Sequence, residues 1–544
     1  MLPALPNPFY YLDNFRVLLN WISARYADLL LPAELAFVDG FARLPHASQA
    51  LLVRMVMRKG EWFRAGKLNY AEIGDTRAAA QPLLAAGWIS ADPLLTLAEV
   101  APLLTRAEVL SQLPPQASTA RLAKDALVAA WADIAPEAQS FSQWYPPDTL
   151  YQLDLRPLCD RLRLMFFGNL RQDLSEFVLA ELGVYRYEKV DIPAEARVFR
   201  SRADVDHYLY LHDCRSRFED GAPCEEIAAL LTNLQLDNPW LEERRGRVLY
   251  ALGQQFERQA AWDDAARMYA LSIDPSARVR TVRVLERQGR HAEALHAAHA
   301  LLNHHDCDEV SVQQLHRMLP RLQRATGAPI IRKSRKAAVE RIDLCLPQPP
   351  APLTVEHAVV AHLHCDDAPV MYVENTLINA LFGLLCWPAL FAPIAGAFFH
   401  PFHFTPADLA SPHFRQRRQA LFDAALAQLE SGQYVETIRQ RFIEKAGIQS
   451  GFVAWSVIDQ TRLDLALDCL PAAHLRLWFE RMLCDITTNR SGFPDLVQFW
   501  PSERRYRMIE VKGPGDRLQD NQTRWLNYCL DHGMPMAVCY VTWA

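Results

Sequence analysis

The segment 492–513, which reads GFPDLVQFWPSERRYRMIEVKG, constrains the fold and chemistry of this chain more than any other. Two short apolar runs flank a polar turn at 501–503, and this pattern predicts a β-hairpin. Asp495 opens the first predicted strand. Glu510 and Lys512 lie two residues apart on the second strand, so their side chains share one face. The hairpin therefore brings two carboxylates and one ammonium group to the same end.

Burying three charges together is costly, and two carboxylates repel each other unless a cation lies between them. Oxygen ligands of this kind suit a hard divalent cation such as Mg²⁺ or Mn²⁺, and the backbone carbonyl of Val511 is a further candidate ligand. Lys512 would then position or activate a water molecule beside the metal. Metal, water and lysine are what hydrolysis of a phosphodiester needs. The alternative interpretation is an exposed hairpin with incidental charges.

The spacing P-D-x14-E-V-K resembles the core of the PD-(D/E)XK nucleases. The strings GFPDLV and IEVKGPGDRLQDNQTRWL are more specific, because they resemble the VRR-NUC branch in its Fanconi-associated nuclease form. The resemblance implies that Asp495 and Glu510 are metal ligands and that Lys512 is catalytic. It also implies a supporting role for Gln522, which matches a glutamine that the family keeps near its site.

The string VENTLINALFGLLCWPALF predicts one long apolar helix that ends at Pro388, with Glu374 near its beginning. The family places a metal-binding glutamate on this helix, in a string like ENTLINALFGLLCW. The resemblance therefore implies that Glu374 is a third acidic ligand for one or two ions. A first-turn glutamate that stabilises the helix dipole is the alternative. We expect the nuclease domain to span 366–544.

Length, apolar runs, cysteine content and net charge limit which classes of protein this chain can belong to. At 544 residues the chain is long enough for three or four domains. It has no apolar run of about 18 residues without a charge or proline, so we expect no membrane segment. The 11 scattered cysteines, without a CxxC pair, favour reduced thiols in a bacterial cytoplasm. With a net charge of −6, DNA binding must depend on local basic patches.

Residues 1–92 predict helices followed by a small wing, and the string SQALLVRMVMRKGEWFRAGKLNYAEIGDTRAAAQPLLAAGWI resembles the N-terminal region of the same nuclease family. This resembles a winged helix-turn-helix. Between residues 54 and 67, basic residues outnumber the one acid, Glu61, and are candidates for phosphate contact: Arg54, Arg58, Lys59, Arg64 and Lys67. A solvated charged face is the alternative.

Residues 93–150 predict two amphipathic helices split by Pro114-Pro115, and they resemble the SAP-type DNA-binding helical hairpin of the family. A plain helical connector is the alternative. Further along, the string FFGNLRQDLSEFVLAELG closely resembles the family's central region. Its apolar spacing is helical through Leu182, and Gly183 suits a helix C-cap.

Residues 151–350 read as a helical linker and degenerate tetratricopeptide-like repeats, with a predicted role as a scaffold. The string ERQAAWDDA at 257–265 recurs as ERQGRHAEA at 286–294, an offset of 29 residues, whereas that repeat family favours about 34. A basic run of Arg332, Lys333, Arg335 and Lys336 follows. The Pro-rich stretch 347–352 then predicts a domain connection.

A long, mostly helical segment separates Glu374 from Asp495 and extends to Cys484. A compact resolvase has no need for this insertion, which on the nuclease core could cover the surface that a partner copy would use. We therefore expect a monomer on flap DNA. Three arginines at the start of the insertion are candidates to grip a DNA arm: Arg415, Arg417 and Arg418.

Together these features predict a multidomain, mostly α protein. An N-terminal winged-helix and SAP-like region and a TPR-like middle precede a C-terminal α/β PD-(D/E)XK domain with a small mixed sheet. The resemblance implies a metal-dependent nuclease of a bacterial member of the Fanconi-associated nuclease family. It also implies cleavage of branched or flapped double-stranded DNA near 5′ flaps, 5′-to-3′ exonuclease action and a role in interstrand crosslink repair. The alternatives are a Holliday-junction resolvase and a DNA-binding scaffold with an inactive nuclease domain.

Overall fold

The structure is a computed structural model that describes residues 7–113, 122–132, 137–174, 185–304, 307–329 and 339–544. The chain forms two compact units, the first made of 1–185 with 199–205 and the second of 186–198 with 206–544. Three predictions lie outside the described residues: the break at Pro114-Pro115, the helical segment that ends at Leu182 and Gly183, and the basic run from Arg332 to Lys336.

The first unit begins with helices that pack around a small sheet. Its first elements are α1 (Tyr10–Tyr26), α2 (Pro32–Arg43), α3 (His46–Met57), β1 (Trp62–Arg64), α4 (Thr76–Ala85) and β2 (Ile89–Ala91). Helix α3 buries an apolar face, since Leu51, Leu52 and Met55 are all 0% exposed. Asp75 caps α4, because its carboxylate accepts hydrogen bonds from the first backbone amides of that helix.

The sheet of the first unit is completed from a distant part of the chain. After β2 come β3 (Leu94–Leu95), α5 (Leu97–Val100), α6 (Arg106–Ser111), α7 (Lys124–Ala132), β4 (Gln139–Ser140), α8 (Phe141–Trp144) and β5 (Leu150–Leu153). Strand β5 lies between β1 and β2 and pairs antiparallel with both, while β3 pairs with β4. The helices between β3 and β4 are therefore inserted into the winged-helix sheet. Local periodicity cannot reveal such a pairing, and the expected boundary at residue 92 separates strands of one sheet.

Helix α9 (Arg156–Phe167) ends earlier than predicted. Gly168 adopts a left-handed backbone with φ of +67° and closes the helix. The side chain of Asn169 then accepts hydrogen bonds from the amides of Arg171 and Gln172. Because these turn contacts compete with helical hydrogen bonding, the continuous helix expected from the apolar spacing is wrong at this point.

The central part of the chain is a series of helices in which the predicted repeat is visible. They are α10 (Arg202–Glu219), α11 (Cys224–Thr232), α12 (Pro239–Arg258), α13 (Trp262–Leu271), α14 (Pro275–Arg287), α15 (His291–Leu302) and α16 (Glu309–Thr326). The equivalent positions Ala260 and Gly289 both turn with positive φ. Ala265 and Ala294 are both 0% exposed, as close helix packing requires. The sequence repeat is therefore a structural repeat.

The second unit contains a five-stranded mixed sheet in the order β6–β10–β9–β8–β7. Its strands are β6 (Glu340–Leu346), β7 (Val370–Tyr372), β8 (Leu496–Trp500), β9 (Arg505–Lys512) and β10 (Met536–Trp543). Strands β8 and β9 form the predicted antiparallel hairpin, with Leu496 opposite Ile509. Strand β10 runs parallel to both β9 and β6. The predicted small mixed sheet is confirmed.

The sheet begins before the expected boundary at residue 366. Strand β6 and helix α17 (Val355–Leu363) contribute Leu346 and Val359 to the same apolar core as Val370 and Ile509. The Pro-rich stretch 347–352 therefore joins two elements of one domain and is not a connection between domains. Strand β6 was not recognised in the sequence because most of its side chains are exposed or half-buried.

The predicted long apolar helix is two helices, α18 (Leu377–Leu385) and α19 (Trp387–Leu390). Pro388 lies in the first turn of α19, where its missing N–H has no intrahelical partner to lose. The predicted helices of the insertion are present, and the remaining helices are α20 (Gln419–Ser431), α21 (Tyr434–Glu444), α22 (Gln460–Cys469), α23 (Ala472–Cys484), α24 (Ile486–Asn489) and α25 (Asp520–Asp531). Among the described residues, none of the helices combines the length and apolar character that a bilayer crossing needs.

Charged side chains join the helical middle to the domain that contains the five-stranded sheet. Glu309 of α16 accepts a hydrogen bond at 2.5 Å from Arg481 of α23. The Arg481 guanidinium lies 4.3 Å from the ring centres of both Trp525 and Tyr528 of α25. Arg317 of α16 forms an ion pair with Asp520 at the start of the same helix. The repeats therefore contact the helix that follows β9.

The basic residues of the first unit fall into two groups. Arg64 is 8% exposed, and its guanidinium donates to Asp148 at 2.9 Å and to both oxygens of Glu108 at 2.7 Å. Half-buried Arg54 is paired with Glu72. The prediction that Arg64 contacts DNA needs correction, because it is buried and held by carboxylates of the same unit, whereas the DNA contact of Arg54 stays a prediction. The other three predicted contacts have exposed side chains: Arg58, Lys59 and Lys67.

We predict that Arg64→Ala lowers the free energy of unfolding by about 3 kcal/mol, because it leaves Asp148 and Glu108 without their cation. Chemical unfolding of the full chain, followed by circular dichroism, measures the loss. Lys59→Ala is the matched control. It should leave stability unchanged and lower the salt dependence of duplex binding by about one phosphate contact. A stable Arg64→Ala variant that binds duplex more weakly would restore Arg64 to the DNA-contacting group.

Candidate active site

The charged end of the β8–β9 hairpin is built by the strand register. Because Leu496 lies opposite Ile509, the preceding Asp495 lies opposite Glu510. The backbone amide of Val511 donates to Asp495 Oδ2 at 2.8 Å. The backbone carbonyl of Asp495 accepts from the amide of Val373, just after β7, at 2.8 Å. Three strands therefore meet at Asp495 and fix both its backbone and its carboxylate.

Glu510 and Lys512 lie on the same face of β9, as the alternation predicts. Glu510 is 0% exposed and Lys512 is 7% exposed. The Lys512 Nζ lies 2.7 Å from Glu510 Oε1, which is ion-pair distance. Neither carboxylate oxygen of Glu510 accepts a hydrogen bond of acceptable geometry from the described residues. The ion pair with Lys512 satisfies Oε1 only, so the buried Oε2 is the kind of acceptor that a further cation would satisfy.

Glu374 does not lie on the helix where the sequence predicted it. It occupies the turn between β7 and α18, because the helix begins only at Leu377. Its side chain is exposed, and its oxygens accept hydrogen bonds from Tyr372 Oη at 2.5 Å and Asn375 Nδ2 at 3.3 Å. The negative charge of Glu374 raises the pKa values of both Asp495 and Glu510. Glu374 therefore lies within electrostatic range of both buried carboxyls, although no three acidic side chains of the described residues are arranged as a metal-holding group.

The pKa values of the two buried carboxyls reflect their crowding. Burial and the charge of Asp495 raise the pKa of Glu510 to about 8, against the opposing effect of Lys512. Burial also raises the pKa of Asp495 to about 6, against the hydrogen bond from the Val511 amide. Strongly raised carboxyl pKa values in one cluster are typical of functional sites. The ionised forms are destabilised here unless a cation lies among them.

Sequence reasoning missed three residues at this site. Half-buried Glu356 on α17 adds a fourth negative charge that raises the pKa of Asp495. It was missed because α17 precedes the expected start of the domain. Tyr372 and Asn375 donate to Glu374 and flank it in sequence. Their proximity to a candidate ligand was the one available signal.

Gln522 lies in the first turn of α25, and its side-chain oxygen accepts a hydrogen bond at 2.8 Å from the amide of Gln519. The loop before Asp495 lies against this helix, because a Cβ on Gly492 would come within 2.9 Å of Asn521. The helix start is therefore close to the loop, while the Gln522 oxygen serves as a cap. A direct role for Gln522 in the site stays a prediction.

Two of the three arginines that were predicted to grip DNA from the insertion have a structural partner. Arg418 is 2% exposed and donates to both oxygens of Asp408, at 2.8 and 2.9 Å. Arg417 pairs with the same carboxylate at 2.9 Å. The DNA-binding prediction needs correction for Arg418, because it is buried and neutralised by Asp408, whereas Arg417 is an exposed residue and its DNA contact stays a prediction. Arg415 is half-buried, and its DNA contact stays a prediction.

Comparison with known families covers three parts of the chain. Residues 9–90 match the family model described as the FAN1 HTH domain. Residues 94–144 match the Fanconi anemia-associated nuclease SAP domain. Residues 429–543 match the VRR-NUC domain. The matches follow the order of the winged-helix region, its inserted helices and the site-bearing sheet.

Comparison with whole proteins extends the likeness over the entire chain. A Fanconi-associated nuclease 1 homolog of Pseudomonas aeruginosa is 56% identical over 99% of this chain and 97% of its own length. A homolog of the same name from Oryza sativa is 24% identical over 99% of this chain and 63% of its own length. A solved structure described as paFAN1 bound to 2nt 5′ flap DNA with a gap is 55% identical, covers 100% of both chains and has a TM-score of 0.93. The chain belongs to the Fanconi-associated nuclease family and is a phosphodiester-cleaving enzyme with a VRR-NUC domain.

Proposed function

We propose that this chain is a structure-specific DNA nuclease that cuts near 5′ flaps, has 5′-to-3′ exonuclease action and serves in interstrand crosslink repair. The observation that carries the proposal is the carboxylate cluster around Glu510, whose buried Oε2 has no hydrogen-bond partner among the described residues. The relative described as bound to 5′ flap DNA supports the substrate, since it is 55% identical and similar along its whole length.

The residues present fit a divalent cation, on which VRR-NUC nucleases depend. We propose that Asp495, Glu510, Glu374 and the Val511 carbonyl would hold one or two Mg²⁺ or Mn²⁺ ions, because hard cations favour oxygen ligands. Such an ion supplies Lewis-acid stabilisation of the phosphate and lowers the pKa of water at the site. The unpartnered Oε2 of Glu510 and the raised pKa values of both buried carboxyls support this fit.

Lys512 is proposed as the catalytic cation. Its ammonium group is nearly buried beside Glu510, where charge interactions are stronger than in water. From there it donates a hydrogen bond to the attacking water or to a phosphate oxygen and neutralises developing negative charge. The Val511 amide donates a hydrogen bond to one oxygen of the Asp495 carboxylate. Because the strand register places Val511 beside Asp495, it also sets the direction of the second carboxylate oxygen.

DNA is proposed to bind through exposed cations rather than through the buried arginines Arg64 and Arg418. Arg58, Lys59 and Lys67 remain candidates for phosphate contacts because their side chains are exposed. All eleven cysteines lie in the described part of the chain as free thiols, which supports a bacterial cytoplasmic location. We propose that the enzyme acts there as a monomer on flapped DNA.

We predict that Asp495→Asn and Lys512→Ala each reduce cleavage of an end-labelled 5′ flap at least about a hundredfold, because each removes a charge from the site. Flap binding in Ca²⁺ should stay within about twofold of the wild type. Glu503→Gln is the matched control, since Glu503 is an exposed acid at the opposite end of the same hairpin. Near wild-type cleavage by either site variant would refute the assignment.

We predict that the metal-free protein loses stability as pH rises, partly through Glu510. Its folded pKa of about 8 exceeds its ordinary value of 4.5, so its contribution is complete below about pH 4.5 and is lost as pH rises through 8. Between pH 5 and pH 9, Glu510→Gln should lose less unfolding free energy than the wild type, by on the order of 2 kcal/mol. Urea unfolding in EDTA measures this. Glu503→Gln should match the wild type, and an identical slope in Glu510→Gln would contradict the prediction.

We predict that the protein stays a monomer on light scattering with and without flap DNA. Symmetric resolution of a four-way junction needs two sites related by a two-fold axis. The same preparation should therefore cut a 5′ flap and leave a four-way junction without paired symmetric nicks. A stable dimer that makes such nicks would favour the resolvase alternative.

A further inference from the structure

Unlike the other two acidic residues of the cluster, Glu374 is not held in position by burial. Asp495 and Glu510 are 6% and 0% exposed, whereas Glu374 is an exposed residue of a turn. Fixing a free glutamate side chain costs rotamer entropy. Repulsion from the two buried carboxylates also favours orientations that turn away from them. A specific restraint is therefore needed if Glu374 is to act with the buried pair.

Two neighbouring side chains supply such a restraint. Tyr372 Oη donates to Glu374 Oε2 at 2.5 Å, and Asn375 Nδ2 donates to Oε1 at 3.3 Å. Each carboxylate oxygen thus receives one hydrogen bond. A carboxylate has about four lone-pair sites, so each oxygen keeps a further site for a cation. The two donors fix the direction of the carboxylate without using up its ability to bind a metal.

Tyr372 is itself held in place on both sides. It is the last residue of β7 and pairs with Leu496, the residue after Asp495. Its ring stacks on His357 of α17, with ring centres 5.9 Å apart and planes 26° apart. The position of its hydroxyl group is therefore set by the sheet that also sets the position of Asp495.

Asn375 ties the turn to the loop that leads into Asp495. Its Oδ1 accepts hydrogen bonds from the amides of Gly492 at 2.8 Å and Phe493 at 3.2 Å. Its backbone is left-handed, with φ of +50°, a conformation that asparagine adopts more readily than most residues. Its carbonyl accepts from Asn379 Nδ2 at 2.6 Å. Displacement of this loop would therefore be transmitted through Asn375 to Glu374.

We propose that Tyr372 and Asn375 are positioning residues that hold the Glu374 carboxylate toward Asp495 and Glu510, and so set the affinity of the site for its divalent cation. The inference rests on the proposed function in one respect, that Glu374 is a ligand. Hydrogen-bond partners of metal ligands commonly change metal affinity by 10- to 100-fold when they are removed. The phenol oxygen of Tyr372 is the cleanest group to remove, because phenylalanine keeps the ring and its stacking.

The test measures Mn²⁺ binding to the metal-free full chain by electron paramagnetic resonance of free Mn²⁺. Tyr372→Phe should weaken binding about tenfold. Its cleavage of a 5′ flap should approach that of the wild type once Mn²⁺ is saturating, since its ligands are intact. Tyr210→Phe is the matched control: Tyr210 is 36% exposed against 38% for Tyr372, and it lies on α10, where it donates to a backbone carbonyl at 3.4 Å. The control should bind Mn²⁺ as the wild type does.

A double-mutant cycle separates positioning from general damage. If Tyr372 acts through Glu374, adding Tyr372→Phe to Glu374→Ala should weaken Mn²⁺ binding no further, whereas independent effects would add. Asn375→Gly, which keeps the left-handed backbone accessible, should also weaken binding. Wild-type Mn²⁺ affinity in Tyr372→Phe, or an additive loss in the double variant, would overturn the proposal. A wild-type protein that binds Mn²⁺ but leaves 5′ flaps uncut would instead overturn the proposed function and leave this inference standing.

Discussion

The repulsion between two buried carboxylates is the constraint on which the rest of the nuclease domain depends. Asp495 and Glu510 lie opposite each other on adjacent strands, and burial disfavours the ionised form of both carboxyls. A cluster of this kind persists only in a rigid frame. The frame is the apolar core beneath the sheet, to which β6, α17 and β10 contribute. Burial of this apolar surface stabilises the arrangement against the electrostatic cost of the site.

The helical middle extends that frame. Arg481 lies between the rings of Trp525 and Tyr528 and is paired with Glu309 of the repeats. Trp525 in turn stacks on Phe493, with ring centres 4.0 Å apart, two residues before Asp495. A continuous series of packed side chains therefore joins the repeats to the loop that carries Asp495. The scaffold role predicted from the sequence thus has a specific point of contact within the second unit.

The sequence predicted best those features that depend on neighbouring residues. The β8–β9 hairpin follows from alternation and a turn, and the repeat at 257–265 and 286–294 follows from local similarity. The failures concern contacts between distant residues. Strand β5 joins β1 across the inserted helices, and β6 joins β10 from the opposite end of the domain. Local patterns carry no information on such partners.

The same limit explains the corrected arginines and the position of Glu374. A basic residue looks the same in the sequence whether it meets a phosphate or a carboxylate from elsewhere in the chain. Arg64 and Arg418 are neutralised by Asp148, Glu108 and Asp408. Glu374 lies outside the helix because Asn375 takes a left-handed conformation, which helical periodicity does not detect. The motif identified the residues that carry the chemistry, but only the fold shows where these residues lie and what they contact.

The insertion of the helices between β3 and β4 into the winged-helix sheet has a consequence for how the chain folds during synthesis. Strand β5 is the central strand, so β1 and β2 have no partner in this sheet until residue 153 has left the ribosome. Until then the exposed strand edges are available for wrong pairing. The compact ribbon of β3 and β4 brings the ends of the inserted segment together and shortens the search for β5. An insert that forms rapidly would thus help the sheet around it to fold.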